Sequence, residues 1–508
     1  MRSFTSVAAI LMATIPALAD HSLQGRSRNN ELAPYHWAEG VPDHEDGATR
    51  DYYNRAAWLP WRNRLGDWTD AEGKEQGNKP YCSVLIRDTD QTRPIEWNVT
   101  DLVRKWVARE AINKGFFLRC IGKRGAIVFA SRESKNADER PRLTLTTDRG
   151  EVVLQATADT YLTPSTYRPL GNRTVLRVSD EPEHILLRFD LSQVEKATRI
   201  GKAALRLYSV KQYGDAEVGV FACAQGEALV TGKPKLGLAR RHSNDRQISN
   251  HQSVYFAEDF ESPQWGKKWS QVAPEKQIAI VKDRDGHGFV PLQGAALRVE
   301  IPKGGNTGLN MLYNFAGLTG REPEEVYFRY YLRLGSDWNQ TVSDGKLPGI
   351  AGTYNRAGWG GRKSDGTNGW SARGLFARTI PPGNPLAGTT PIGTYGYHAD
   401  MKGNYGDHWV WYRGYRGYLE NNRWYCIEHY VKLNTPGKAD GVLRGWIDGH
   451  LAIEKTNVRF RNTPKLKIEQ VWMNVYHGGR SASPRNQHCY IDQVVIASQY
   501  IGPMSRED

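Results

Sequence analysis

The chain has 508 residues, enough for about two to four domains that each bury a core of their own. It contains 51 Gly, 16 Trp and 25 Tyr and has a formal net charge of +13. This composition is typical of a β-rich globular protein, and no segment approaches the ~20 apolar residues of a membrane helix. The basic charge favours a polyanionic partner. The five cysteines show no CxxC spacing, which argues against a zinc site. One or two disulfides can form among them in an oxidising compartment.

The N-terminal segment has the layout of a cleavable signal peptide over residues 1–19. Arg2 precedes an apolar run at residues 7–15, and Ala17-Leu18-Ala19 stands before Asp20. We therefore expect a secreted protein, periplasmic or extracellular, that is not held in a membrane. For an exported protein, acidic polysaccharide is a more expected polyanionic partner than nucleic acid. Residues 20–50 are polar and carry no periodicity, which predicts a flexible leader.

Residues 51–230 read as short strands separated by Gly, Asn, Asp and Pro. One exception lies at residues 98–107, where Thr100 can cap a helix and apolar residues, among them Leu102 and Trp106, recur at helical spacing. We expect one short amphipathic helix within an otherwise β domain.

Two parts of this region resemble the DNRLRE domain, a carbohydrate-binding jelly roll. Residues 98–143, with Phe129-Ala130-Ser131-Arg132-Glu133, resemble its C-terminal half. Residues 156–161, 186–191 and 204–208 resemble its N-terminal half, so the halves stand in reversed order. Two partial copies or one circularly permuted jelly roll would explain this, and a length of about 180 residues favours the single permuted domain. Alternatively, the region only spaces the second domain from the cell surface.

Residues 231–253 are basic and polar, which predicts an interdomain linker. Residues 254–503 form a second region of strands, with Asp448-Gly449 as a strong hairpin signal. No helices alternate with these strands, so we expect an antiparallel sandwich. The predicted fold is all-β, with two β-sandwich (jelly-roll) domains joined by a basic linker. We expect a monomer.

Residues 326–334 are predicted to form a strand in which apolar side chains alternate with aromatic and cationic ones. The apolar side chains lie on one face of this strand and the aromatic and cationic side chains on the other. Guanidinium groups pair with carboxylates and aromatic rings stack on sugars, so the second face is predicted to bind substrate. An ordinary solvated sheet face is the alternative. The substrate-binding residues are predicted to be Tyr327, Arg329, Tyr331 and Arg333.

A second patch is predicted from residues 369–376 and 394–398. Ser371 and Arg373 lie two apart and share a strand face, while their neighbours alternate towards the core. Tyr395 and Tyr397 also lie two apart. If the two strands are neighbours, these four side chains converge.

Four motifs, spread over most of residues 254–503, resemble polysaccharide lyase family fourteen and the related family twenty of glucuronan lyases. They are Lys346-Leu347-Pro348-Gly349, Ser371-x-Arg373, Tyr395-x-Tyr397 and Tyr476-His477-Gly478-Gly479. The resemblance implies a jelly roll that cleaves an alginate-type or glucuronan-type polyuronate by β-elimination, without a cofactor or metal. It implies a catalytic cleft lined by Lys346, Ser371, Arg373, Tyr395 and Tyr397. The loop at residues 378–393 makes the spacing between the last two pairs long.

In β-elimination a base removes the C5 proton of a uronate while cations neutralise the adjacent carboxylate. We expect Arg373 and Lys346 to bind that carboxylate and Ser371 to orient the substrate. Tyr397 is the predicted base or acid, and Tyr395 is either its partner or a group that positions the sugar. His398 and His477 are rival bases, because imidazole titrates nearer neutrality. The alternative function is a non-catalytic carbohydrate-binding or adhesive matrix protein.

Overall fold

A computed structural model describes residues 37–40, 46–88, 92–122, 125–224, 233–282, 287–479 and 481–505. The predicted signal peptide and most of the predicted leader lie outside these residues. The described part of the leader is packed rather than flexible: Trp37 and Ala48 are buried, and the Trp37 indole donates to Lys114 O at 3.1 Å. None of the helices in these ranges has the length and apolar content that a membrane crossing requires.

The described residues of the first unit form thirteen strands and one α-helix. The helix, α1, lies in the predicted segment, but it begins at Thr100 with Val99 as its N-cap, so the predicted cap at Thr100 is wrong, and the Thr100 hydroxyl instead donates to Asn98 Oδ1 at 2.6 Å. The elements are β1 (Tyr52–Asn54), β2 (Leu59–Pro60), β3 (Trp68–Thr69), β4 (Cys82–Ile86), β5 (Pro94–Asn98), α1 (Thr100–Val107), β6 (Phe116–Gly122), β7 (Ala126–Ala130), β8 (Arg142–Thr147), β9 (Gly150–Leu162), β10 (Val175–Ser179), β11 (His184–Phe189), β12 (Ile200–Tyr213) and β13 (Ala216–Cys223).

Strands from both halves of this region interleave in one antiparallel sheet. Its order is β10-β7-β12-β8-β9-β11-β6-β13-β3, with β4 on β13 and β5 on β12. The alternation of β5 turns Ile95 and Trp97 inward, and Leu143 and Leu145 of β8 join them in the core. The two DNRLRE-like stretches therefore belong to one unit, as a single permuted domain requires.

The second unit contains sixteen strands and one short helix. They are β14 (Val254–Glu258), β15 (Gln271–Ala273), β16 (Ile278–Val281), β17 (Ala296–Ile301), β18 (Thr307–Asn314), α2 (Phe315–Thr319), β19 (Glu325–Leu334), β20 (Gly345–Gly352), β21 (Trp370–Phe376), β22 (Thr390–Tyr397), β23 (Asp407–Val410), β24 (Tyr418–Leu419), β25 (Trp424–Lys432), β26 (Gly441–Ile447), β27 (His450–Val458), β28 (Gln470–Tyr476) and β29 (Gln487–Ala497).

These strands form two antiparallel sheets of eight strands each. Sheet I has the order β16-β17-β29-β19-β25-β26-β27 with β14 on β29, and sheet II has the order β15-β18-β28-β20-β21-β22-β23 with β24 on β22. One apolar core contains residues of both, such as Phe328 and Leu332 from sheet I and Trp370 and Val471 from sheet II. With 43% of residues in strands and 8% in helices, the predicted all-β sandwich fold is confirmed.

The aromatic and cationic face of β19 does not bind substrate, and this prediction is wrong. The structure confirms the apolar face, which lies in the sandwich core, but the other face is covered by residues 238–248 and 500–504. Arg329 is fully buried against Asp245, and the Tyr331 hydroxyl accepts from Met504 N at 2.8 Å. Arg333 donates to Gly288 O, and Tyr327 packs on Tyr430 with ring centroids 4.4 Å apart.

The covering segment includes most of the predicted linker. Leu238, Ala239 and Ile248 are buried against Val495 and Ala497 of β29. The described residues 233–253 are therefore a packed part of the second unit, and their polar composition reflects turns rather than flexibility.

Replacing Asp245 by Ala is expected to lower the free energy of unfolding by about 3–5 kcal/mol, because Arg329 would remain charged and uncompensated in the interior. Chemical denaturation measures this loss. The double variant Asp245→Ala/Arg329→Met should recover most of it. A loss below about 1 kcal/mol for Asp245→Ala alone would show that the ion pair does not fix the segment.

Candidate active site

The predicted patch is assembled on sheet II by the pairing of β21 with β22. Ser371 stands opposite Tyr397 and Arg373 opposite Tyr395, so the four residues share one face. The opposite face places Trp370, Ala372 and Phe376 in the core, as the alternation predicts. β20 lies on the other side of β21 and brings Lys346 to the same patch, with a register shift between Leu347 and Ile350.

Arg373 lies at the base of a cleft of about 770 Å³ on this face. Its Nη1 donates to Asn474 Oδ1 at 3.1 Å, and its guanidinium carbon lies 4.5 Å from the ring centroid of Trp472. Its buried Nε has no hydrogen-bond partner. Burial lowers the pKa of Arg373 to about 10, which the nearby tyrosines partly oppose. Among the described residues no carboxylate pairs with this guanidinium, so the cleft holds a positive charge without an adjacent negative one.

Lys346 is 6% exposed, and its Nζ lies 3.6 Å from the ring centroid of Tyr395. The ammonium also donates to Asp344 O. Burial lowers the pKa of Lys346 well below its usual value, Arg373 lowers it further, and Asp344 opposes both. The net effect favours the neutral amine over the ammonium.

The two tyrosine rings meet edge to face, with centroids 5.6 Å apart. The Tyr397 hydroxyl accepts from Gly361 N at 3.2 Å. Burial, reinforced by Tyr397, raises the pKa of Tyr395, so its phenol stays protonated at neutral pH. Both rings line the cleft.

Three other predicted catalytic residues are not among the described residues that line this cleft. The Ser371 hydroxyl is buried and donates to Gly358 O at 2.7 Å, which makes it a support for a loop. His398 Nε2 lies 2.8 Å from Asp407 Oδ2. His477 is fully buried with Nδ1 3.0 Å from Gln340 Oε1, and burial lowers its pKa. The structure therefore favours positioning roles for these three.

Several lining residues were missed by the sequence analysis. The most informative is His408 of β23, whose Nε2 lies 3.0 Å from Asp344 Oδ1 and whose ring is 5.1 Å from that of Tyr395. The hydrogen bond from His408 holds the pKa of Asp344 below its usual value. Other lining residues that the sequence analysis did not name include Thr307, Asn310, Asp344, Trp359, Tyr405, Trp472 and Asn474.

Two groups of side chains in the described chain have ligand atoms close enough to hold a metal ion, and neither includes a residue that lines the cleft. They are His287, Asp337 and His488, and Glu39, Glu133 and Asp159. The cleft itself offers two cations, several phenols and a histidine, a set suited to binding an anionic group and moving protons.

The part of the chain that builds this cleft matches a known protein family. Residues 292–494 match the family model Polysaccharide lyase 14. This family-14 region contains every residue named for the cleft, and the match confirms the resemblance to family fourteen over these residues. Residues 41–145 match the model Disaggregatase related repeat domain, so the DNRLRE resemblance stays a prediction. No curated protein matches the chain.

Solved structures similar to this chain include alginate lyase Aly36B, at 18% identity, covering 50% of this chain and 95% of that one with a TM-score of 0.38. The PL-14 alginate lyase from Aplysia kurodai has 17% identity, covering 48% and 98% with a TM-score of 0.37. An endo-β-1,4-glucuronan lyase from the fungus Trichoderma reesei has 15% identity, covering 48% and 96% with a TM-score of 0.34.

Proposed function

We propose that the protein is a secreted polysaccharide lyase that cleaves an acidic polyuronate of the alginate or glucuronan type by β-elimination. The observation that carries the proposal is the meeting of two buried basic side chains, Lys346 and Arg373, with Tyr395 and Tyr397 in one cleft. The match of residues 292–494 to a polysaccharide lyase family supports the same activity. For the first unit we propose a carbohydrate-binding role.

The reaction begins with removal of the proton on C5 of the uronate. The electron pair left at C5 forms the C4=C5 double bond, the C4–O4 bond breaks, and O4 takes up a proton. The carboxylate on C5 resists the build-up of negative charge, so a fixed cation beside it lowers the barrier. Arg373 is this cation in our proposal, because its guanidinium lines the cleft and pairs with no carboxylate in the part of the chain that the structure describes.

Lys346 takes a different role from the one expected from the sequence. Its burial and its nearness to Arg373 lower its pKa, which favours the neutral amine, and we assign Lys346 as the group that accepts the C5 proton. Its Nζ lies over the Tyr395 ring, 3.6 Å from the ring centroid. Tyr397, whose hydroxyl is oriented by Gly361 N, is the donor that we assign to the departing O4.

The activity is tested by incubating the protein with polymannuronate, polyguluronate, mixed alginate and glucuronan. We expect the ultraviolet absorbance of the unsaturated uronate ends, whose C4=C5 double bond is conjugated to the carboxylate, to rise with at least one polymer, and the polymer that responds identifies the substrate. The matched control is Tyr397→Phe, which keeps the ring and should cleave about 10²–10⁴ times more slowly. If no polymer yields absorbance but the polymers are bound, the protein is a binding or adhesive matrix protein.

A further inference from the structure

A second cavity, of about 760 Å³, lies between the two units. We call it the interdomain cleft. The first unit contributes residues 46–58 together with Tyr167, and the second unit contributes residues 378–381 and 406–408. Gly406 and His408 also line the active cleft, so the two cavities meet at β23.

The units are held together firmly around this cavity. The Tyr418 hydroxyl donates to Ala57 O at 2.7 Å, and the Asn54 and Asn384 side chains hydrogen-bond at 2.9 Å. A buried apolar cluster joins Leu59 and Trp61 to Ile380, Leu386 and Tyr418. The first unit is therefore a fixed wall of the cavity rather than a loosely tethered module.

Trp58 marks the junction of the two cavities. Its indole stacks on His408 with ring centroids 4.7 Å apart and an angle of 28° between the planes. His408 in turn contacts Tyr395 and Asp344 of the active cleft. Trp58 has a φ of 56°, a conformation that is costly for a bulky side chain and persists only where the surroundings impose it.

The walls of the interdomain cleft combine cations with aromatic faces. Arg55 donates to Tyr167 O at 2.7 Å and its guanidinium lies 5.5 Å from the Tyr167 ring centroid, while Arg50 lies 5.9 Å from the same centroid. Arg378 stands opposite on the second unit, is exposed, and is anchored by its Nε on Thr341 O at 3.1 Å. Guanidinium groups next to aromatic rings suit a sugar that bears a carboxylate.

Three carboxylates also line the cavity, and each is engaged or buried. Asp51 lies 3.3 Å from Arg50 and 3.6 Å from Arg64, and Asp407 lies 2.8 Å from His398. Asp46 is only 8% exposed. Arg50 and Arg64 pair with Asp51, His398 contacts Asp407, and Arg378 keeps an exposed positive charge towards the cavity.

We propose that the interdomain cleft binds further uronate residues of the same polymer chain whose cleaved residue occupies the active cleft. The inference rests on the proposed function for its substrate class. Both units then hold one substrate chain, which passes His408 and Trp58 between the two cavities. Long polymers gain contacts that short oligosaccharides, confined to the active cleft, do not make.

The test compares Tyr167→Ala/Arg378→Ala with wild type on polymer and on a tetrasaccharide of the same uronate. Tyr167 is 55% exposed and Arg378 is exposed, so the variant should fold. We expect kcat/KM on polymer to fall about tenfold because KM rises, which corresponds to a loss of about 1.4 kcal/mol of binding free energy. The fall in kcat/KM on polymer should be at least fivefold larger than the fall on the tetrasaccharide. The matched control is Arg149→Ala/Tyr213→Ala, which removes two exposed residues of the first unit that line neither cavity.

Equal losses on polymer and tetrasaccharide, or no loss on polymer, would overturn the proposal. Should wild type cleave no polymer, the proposed function fails, and the interdomain cleft is tested by affinity gel electrophoresis with the same polymers. Retardation of wild type and of the control, but not of Tyr167→Ala/Arg378→Ala, would support the interdomain cleft. Absence of retardation, or retardation unchanged in that variant, would refute it.

Discussion

Replacing Lys346 by Arg is expected to lower kcat on the responsive polyuronate by about 10³-fold, because arginine keeps the positive charge but cannot release its proton to act as a base. If Lys346 only neutralised the substrate carboxylate, Lys346→Arg would retain much of the activity. Steady-state kinetics with the unsaturated product as the signal separates the two roles. A loss smaller than about tenfold would remove Lys346 as the base.

The pH dependence gives a second test of the same role. A base acts when deprotonated, so kcat/KM should rise with pH through the pKa of Lys346, which burial and Arg373 lower well below its usual value. The rising limb should therefore lie well below the ordinary titration range of lysine. In Lys346→Arg the residual activity should lack this limb. A limb that persists unchanged in the variant would assign it to a group other than Lys346.

Replacing Arg373 by Ala is expected to lower kcat by about 10²–10³-fold, the usual cost of removing one preorganised group that stabilises charge in a transition state. Arg373→Lys should recover part of this, because it restores a charge but not the planar contact with Trp472 and the bond to Asn474.

Thermal unfolding distinguishes a functional role for Arg373 from a structural one. Arg373 is a buried cation with an unpartnered Nε, so its removal relieves a desolvation cost and should leave the melting temperature unchanged or higher. Arg444, which pairs with Glu454 on sheet I, provides a matched Arg→Ala control with full activity. A large drop in melting temperature for Arg373→Ala, with activity lost in proportion to unfolded protein, would contradict the catalytic role.

The sequence predicts the β21–β22 patch well because a strict two-residue period fixes which side of a strand each residue occupies. Small and apolar residues alternate with Ser371 and Arg373, so only one arrangement buries Trp370 and Phe376. The same reasoning failed for β19. Alternation assigned Arg329 to the outer face, but it does not reveal what covers that face, and Asp245 comes from a polar segment more than eighty residues earlier.

The pairing of His408 with Asp344 could not be predicted, because the contact depends on how β23 aligns beside β22. Trp472 and Asn474 lie in β28, whose apolar residues indicate a core strand more strongly than these two residues indicate a binding site. Their place in the cleft can be recognised only once β28 is known to lie between β18 and β20. The interdomain cleft depends on how two folded units dock. No local pattern in residues 46–58 indicates this.

The position of β29 in sheet I has a consequence for the order in which the protein can be made. β29 is fully buried and pairs with β14, β17 and β19, although it is the last strand in the described chain. Until it is synthesised, β17 and β19 lack the strand that they share as a partner. We therefore expect the second unit to complete sheet I, and the core beneath it, only after this last strand has been made.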